Sequence, residues 1–192
     1  MDEQPIELSS TRQRLLDTAS ELFYREGVHR VSVERVIEAA GVPENTLLKA
    51  FGSKDELIRA YLRARHARTL DQMKSGLARY ETPRERLIGV FEIQGASFGE
   101  PGFRGCAFVT ASAEALPGEV VEQVATEYRD WVHNMFLDLC FSAQAPRPEE
   151  LAEQLVVLYD GAGTSAWMDH NPATVGVSRA VAEVLVAAAL DS

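Results

Sequence analysis

The chain has 192 residues, 46% hydrophobic and 25% charged, with a formal net charge of −10 at pH 7. That suffices for a proper core in one large or two small domains, and no stretch approaches the roughly 18 continuous apolar residues of a membrane span. The acidic opening MDEQPIELSS lacks the apolar centre of a signal or transit peptide, and Cys106 and Cys140 stand far apart in no metal-like spacing, so a cytoplasmic protein with two reduced thiols is expected.

Helical periodicity dominates and strand alternation is nearly absent, which predicts an all-α fold. The first helix is expected to open at Ser10, with Gln13 completing a capping box, to bury Leu15, Leu16, Ala19, Leu22 and Phe23, and to end at Gly27. A second helix starts at Ser32, a good N-cap, and turns Val33, Val36, Ile37 and Ala40 inward. After the turn Ala40-Gly41-Val42, a third short helix is expected from Glu44 to Ala50, anchored by Leu47 and Phe51. One helix to brace on phosphates, a tight glycine turn and a short second helix to enter the major groove make a helix-turn-helix, a device for reading DNA.

Ser53 with Glu56 opens a long fourth helix expected to reach Tyr80, and Thr82-Pro83-Arg84-Glu85 launches a fifth that runs to Phe98. The loop Gly99–Gly105, a short helix from Cys106 to Ala115 and the turn Leu116-Pro117-Gly118 follow. From Glu119 to Ser142 the residues Val120, Val124, Tyr128, Trp131, Met135 and Leu139 form one apolar stripe. Two last helices are expected over Glu149–Asp169 and Ala173–Leu190, the second capped by Asn171.

Charge is unevenly spread. Residues 1–68 hold 11 Lys and Arg against 11 Asp and Glu, so the entire net −10 belongs to residues 69–192. The local positives Arg12, Arg14, Arg35, Lys49 and Lys54 remain to meet phosphates, with modest affinity and strong salt dependence expected.

The N-terminal third resembles the TetR (tetracycline-repressor-like) family of bacterial regulators. The resemblance rests on Thr11, Arg12, Leu15, Leu16, Ala19, Leu22, Phe23 and Gly27, and continues through Ser32, Val33, Val36, Ala40, Gly41, Val42, Thr46, Leu47, Phe51, Ser53, Lys54 and Leu57. It implies a three-helix helix-turn-helix DNA-binding domain over residues 10–56 and a helical effector-binding and dimerisation domain over 57–192. In the recognition helix it brings Asn45, Thr46 and Lys49 to the exposed face, with Ser32, Arg35 and Lys54 near backbone phosphates. Where the family has serine, glycine and tyrosine, this chain has Pro43, Asn45 and Leu48. Leu48 has no hydroxyl for a phosphate, and Glu44 carries a charge that phosphate repels or a cytosine amino group satisfies.

In the second domain Phe91, Phe98, Phe103, Phe108, Tyr128, Trp131, Met135 and Tyr159 are candidates to line an effector chamber, against the alternative of ordinary core packing. Gln94, Thr110, Ser112 and His133 are the polar candidates. Leu151, Leu155, Leu158, Ala162 and Ala166, then Val177, Val181, Val184, Leu185 and Ala188, form the apolar faces that the resemblance pairs with a second copy in a four-helix bundle. Four scattered histidines, His29, His66, His133 and His170, suggest no metal, and neither cofactor nor catalytic function is expected. The expected protein is therefore a homodimeric repressor released from a palindromic DNA operator by a small molecule, with the long fourth helix linking its two domains. The alternatives are an activator or architectural protein without effector, and a cysteine-dependent enzyme using Cys106, whose place at a helix start would favour a reactive thiol.

Overall fold

The computed structural model describes residues 4–191, with side chains from Ser10 onward. The tip Met1–Glu3, part of the opening read above against a targeting segment, lies outside the described residues. Within that span the chain is all-α: α1 (Gln4–Glu26), α2 (Val33–Ala40), α3 (Thr46–Phe51), α4 (Lys54–Leu77), α5 (Pro83–Gly95), α6 (Ala107–Glu114), α7 (Val120–Ser142), α8 (Pro148–Met168) and α9 (Thr174–Leu190). None of these is long and apolar enough to cross a membrane.

Several boundaries differ from expectation, each for a local reason. α1 begins at Gln4, so Ser10 lies inside it and Gln13 donates to Asp17 one turn on instead of closing a capping box. α3 starts at Thr46 because Pro43, Glu44 and Asn45 are used in the turn, where the Thr46 N–H reaches the Pro43 carbonyl at 2.9 Å. α4 and α5 stop about one turn short of Tyr80 and Phe98, as the N–H groups of Tyr80 and Phe98 bond back three residues to Leu77 and Gly95 in tight turns. Before α9, Asn171 accepts through its side chain from the Ala173 N–H at 3.0 Å, and Ala173 itself holds the cap position.

Other signals hold. The Ser32 hydroxyl oxygen accepts from the Arg35 N–H at the start of α2, and Gly41 closes that helix in the left-handed conformation with φ of 63°. Thr82 and Glu85 form the reciprocal capping box at α5.

Packing divides the chain into two compact units. The first is the chain up to His66 together with Ala107–Thr126; the second is Ala67–Cys106 with the remainder from Glu127. At the start of α4, Leu57, Ile58, Tyr61 and Leu62 are buried, with the Tyr61 ring 5.6 Å from Phe23 of α1.

In the first unit α1, α2 and α3 pack on one another around Leu15, Ala19, Phe23, Val36 and Leu47. Leu16, Val33 and Ile37, expected inside, are only half-buried. In the second unit α5, α8 and α9 pack together around Leu87, Phe91, Leu155, Ala182 and Val186. α5 and α9 meet at Gly95, where the space a Cβ would need is filled by the Val175 side chain.

Candidate nucleic-acid interface

Two anchors fix how α3 faces solvent. Leu47 and Phe51, one turn apart, are buried, so the residues about 100° round the helix from Leu47 must point outward. Accordingly Glu44, Asn45, Leu48 and Lys49 are exposed, while Thr46 is half-buried at the first turn. Ser32 and Arg35 are exposed at the start of α2, and Lys54 is half-buried at the start of α4, its Nζ donating to the His29 carbonyl at 3.5 Å. Each candidate DNA contact therefore retains some access to a ligand.

Ser32 and Arg12 also carry prior engagements. The Ser32 hydroxyl hydrogen-bonds the Glu34 carboxylate, which together with the backbone N–H of Glu34 holds that carboxyl below its usual range. A phosphate seeking the Ser32 proton competes with Glu34. Arg12, read from sequence as a phosphate contact, is turned to the protein instead: its Nε donates to the Ala50 carbonyl at 3.2 Å, and its guanidinium lies 4.5 Å from the centre of the Phe51 ring. A cation on the last turn of α3 complements the carbonyl end of the helix. Arg12 is a positioning residue for the recognition helix, a role that motif matching could not distinguish from a phosphate contact.

The rest of this unit braces the α1–α2 turn. Gly27 has φ of 98°, and the Glu114 carboxylate of α6 occupies the place of its missing side chain. The same carboxylate accepts from the His29 N–H at 3.3 Å, His29 Nε2 lies 3.2 Å from Glu119, and Arg59 of α4 donates to Gln123 of α7 at 3.2 Å. Nothing in the local sequence signalled this contact, since its partners lie 85 residues apart.

Comparison with known proteins agrees with this geometry. The pattern of the family described as "Bacterial regulatory proteins, tetR family" matches residues 15–61. A tetR transcriptional regulator from Streptomyces avermitilis is 32% identical, with 93% of this chain and 97% of that one covered and a TM-score of 0.82. The chain belongs to the TetR family. A TetR-family regulator from Streptomyces coelicolor superposes with a TM-score of 0.90 at 28% identity, over 95% of this chain and 97% of that one. The HTH-type transcriptional regulator BetI of Rhizobium meliloti is 26% identical over 183 residues, 93% of this chain and 89% of its own length. A TetR-family chain is a DNA-binding transcriptional regulator, and these likenesses extend over both compact units.

The residues expected around an effector belong to both compact units of this TetR-family chain. Phe108 packs in the first unit, its ring 6.4 Å from His66. In the second unit Phe91 and Tyr159 are buried with ring centres 6.5 Å apart, Phe98 stacks on half-buried Phe103 at 5.4 Å, and Tyr128 on half-buried Trp131 at 5.7 Å. Phe136, absent from the sequence reading, is fully buried 5.8 Å from Phe91 and 5.9 Å from Tyr159. The expected stripe on α7 took one three-residue step, from Tyr128 to Trp131, whereas the buried face keeps advancing by fours through Val132, Phe136 and Cys140 and leaves Trp131, Met135 and Leu139 half-buried. Both stripes are apolar, so periodicity alone could not choose.

Polar groups are interleaved. Burial raises the hydroxyl pKa of Tyr128 and of Tyr159, which hydrogen-bond each other, and Cys106 hydrogen-bonds Tyr128. Gln94 donates through Nε2 to the Tyr159 carbonyl at 2.8 Å, which leaves its buried Oε1 without a protein partner. Of the other polar candidates, Thr110 donates to the Ala107 carbonyl, His133 is half-buried and Ser112 is exposed.

The expected dimer face needs correcting on α8. Leu151, Leu155, Ala162 and Ala166 are buried within the chain itself, the last two beneath Phe98, and Leu158 is half-buried. The apolar residues that α8 does expose are Val157 at 73% and Met168 at 68%, with Gly161 between them. On α9 Val177, Val181, Val184 and Ala188 are exposed as expected and Leu185 is half-buried; Gly176, Val177, Ala180, Val181 and Val184 line an open apolar groove of about 520 Å³.

Proposed function

We propose that this chain is a homodimeric transcriptional repressor that holds a palindromic DNA operator and is released by a small-molecule effector. Residues 10–56 carry the DNA contacts through Ser32, Arg35, Glu44, Asn45, Thr46, Leu48, Lys49 and Lys54, and 57–192 carry effector binding and dimerisation. The observation that supports this reading best is α3 with the turn before it, where Leu47 and Phe51 are buried behind and Glu44, Asn45, Leu48 and Lys49 are exposed in front. A second copy docked on the exposed apolar residues of α8 and α9 would set two such helices at one spacing, which a palindrome matches. An effector preferring the other spacing weakens DNA binding by that same preference.

A single observation favours the rival reading of a regulator without effector. Phe91, Phe136 and Tyr159 are buried and contact one another, as the rings of a solid core do. Selecting operator sequences from a random duplex library with the purified protein, then footprinting the winner, tests the first reading. Protected half-sites about 10 base pairs apart, or a multiple of that, support it; failure to enrich any sequence overturns it. Operator binding that no compound in a metabolite panel changes favours the rival.

A further inference from the structure

Among the described side chains up to His66, Leu48 is the one large apolar group left exposed, at 59%. It sits on the outer face of α3 beside the exposed Lys49 and one turn from Glu44. Solvent exposure of a leucine there adds nothing to the core, and alanine would serve the helix at least as well. The flanking, exposed Lys49 suits a polyanion rather than an apolar protein surface.

Leucine has neither donor nor acceptor, so it recognises only apolar surface. In the major groove the one apolar mark among the base pairs is the C5 methyl of thymine. We propose that Leu48 reads a thymine in each half-site through that methyl group, making it a specificity residue. Glu44, Asn45 and Lys49 then carry the polar part of the readout around it. This inference rests on the DNA-reading role proposed above.

The test starts from an operator selected from a random duplex library and replaces its thymines one at a time by deoxyuridine, which removes only the methyl group. The expected result is one thymine per half-site whose replacement weakens binding about four-fold, and about fifteen-fold when both half-sites are changed, the effect of withdrawing one methyl from an apolar contact. L48A should lose that sensitivity while L48M keeps it. Circular dichroism should show both variants folded, since the side chain is exposed. Uniform tolerance of deoxyuridine, or a sensitive thymine that L48A still senses equally, overturns the proposal while leaving the operator intact. Failure of the library to yield any operator overturns the DNA-reading role instead, so the two failures are distinct.

Discussion

Lys54 and Arg12 are both cations of the first unit, and the structure gives them different work. Lys54 donates to a carbonyl at 3.5 Å, lies close enough to Glu34 to favour its charged form, and stays partly exposed; K54A should weaken binding to all sequences alike and lower the salt slope by about one unit. Arg12 fastens the end of α3. R12A should therefore blur discrimination between operator and random duplex with little change in salt slope. Fluorescence anisotropy across a salt series reads both, and equal slopes for K54A and the parent would remove Lys54 from the phosphate contacts. Burial pushes the Cys140 thiol up to about 11 from its ordinary 9. Because the folded form holds this proton more tightly, stability is retained below pH 9 and falls as pH rises towards 11. Melting curves across that window should show the decline, shallower in C140A, and iodoacetamide at pH 8 should modify half-buried Cys106 before buried Cys140.

At the scale of elements, the helices were legible wherever a local device ends or starts them. Ser32, Gly41, Ser53 and the Thr82–Glu85 pair all act as their residue types predict. Where several positions could serve, sequence chose wrongly: α3 shortened into its turn, and α7 turned Phe136 inward in place of Trp131 and Met135. α7 and α8 are apolar on more than one side, and which side is buried depends on partners distant in sequence. The structure makes Phe136, not Trp131, the packing centre of the second unit's rings. F136A should cost about 3–5 kcal/mol, with a matching fall in melting temperature and operator affinity preserved below it. A loss no larger for F136A than for W131A would argue against that assignment.

For the whole molecule, the apolar surface outside the core separates two classes of substitution on the last helices. V184E and V157E place a charge on exposed positions, so each monomer should fold while the dimer fails. L155E puts the charge into the monomer's own core and should prevent folding. Light scattering with circular dichroism distinguishes these outcomes; an intact dimer in both V184E and V157E would exclude this face. Legibility also failed at this scale, since the apolar stripe read on α8 took in Leu155 and left out Val157, and only the fold shows that the chain itself covers the first and leaves the second exposed.

The seating of Ala107–Thr126 against the first sixty-six residues bears on how such proteins can be recombined. The DNA-side unit is interrupted in the chain, so no single cut yields it whole. A hybrid joined after residue 66 would set one protein's Gly27 and His29 against another's α6, with no guarantee of a carboxylate where Glu114 stands. Hybrids that transplant 107–126 along with the N-terminal stretch should melt higher than those that leave it behind, and E114A in the intact chain should mimic the poorer graft. Equal melting temperatures for the two hybrid designs would show that the brace contributes nothing.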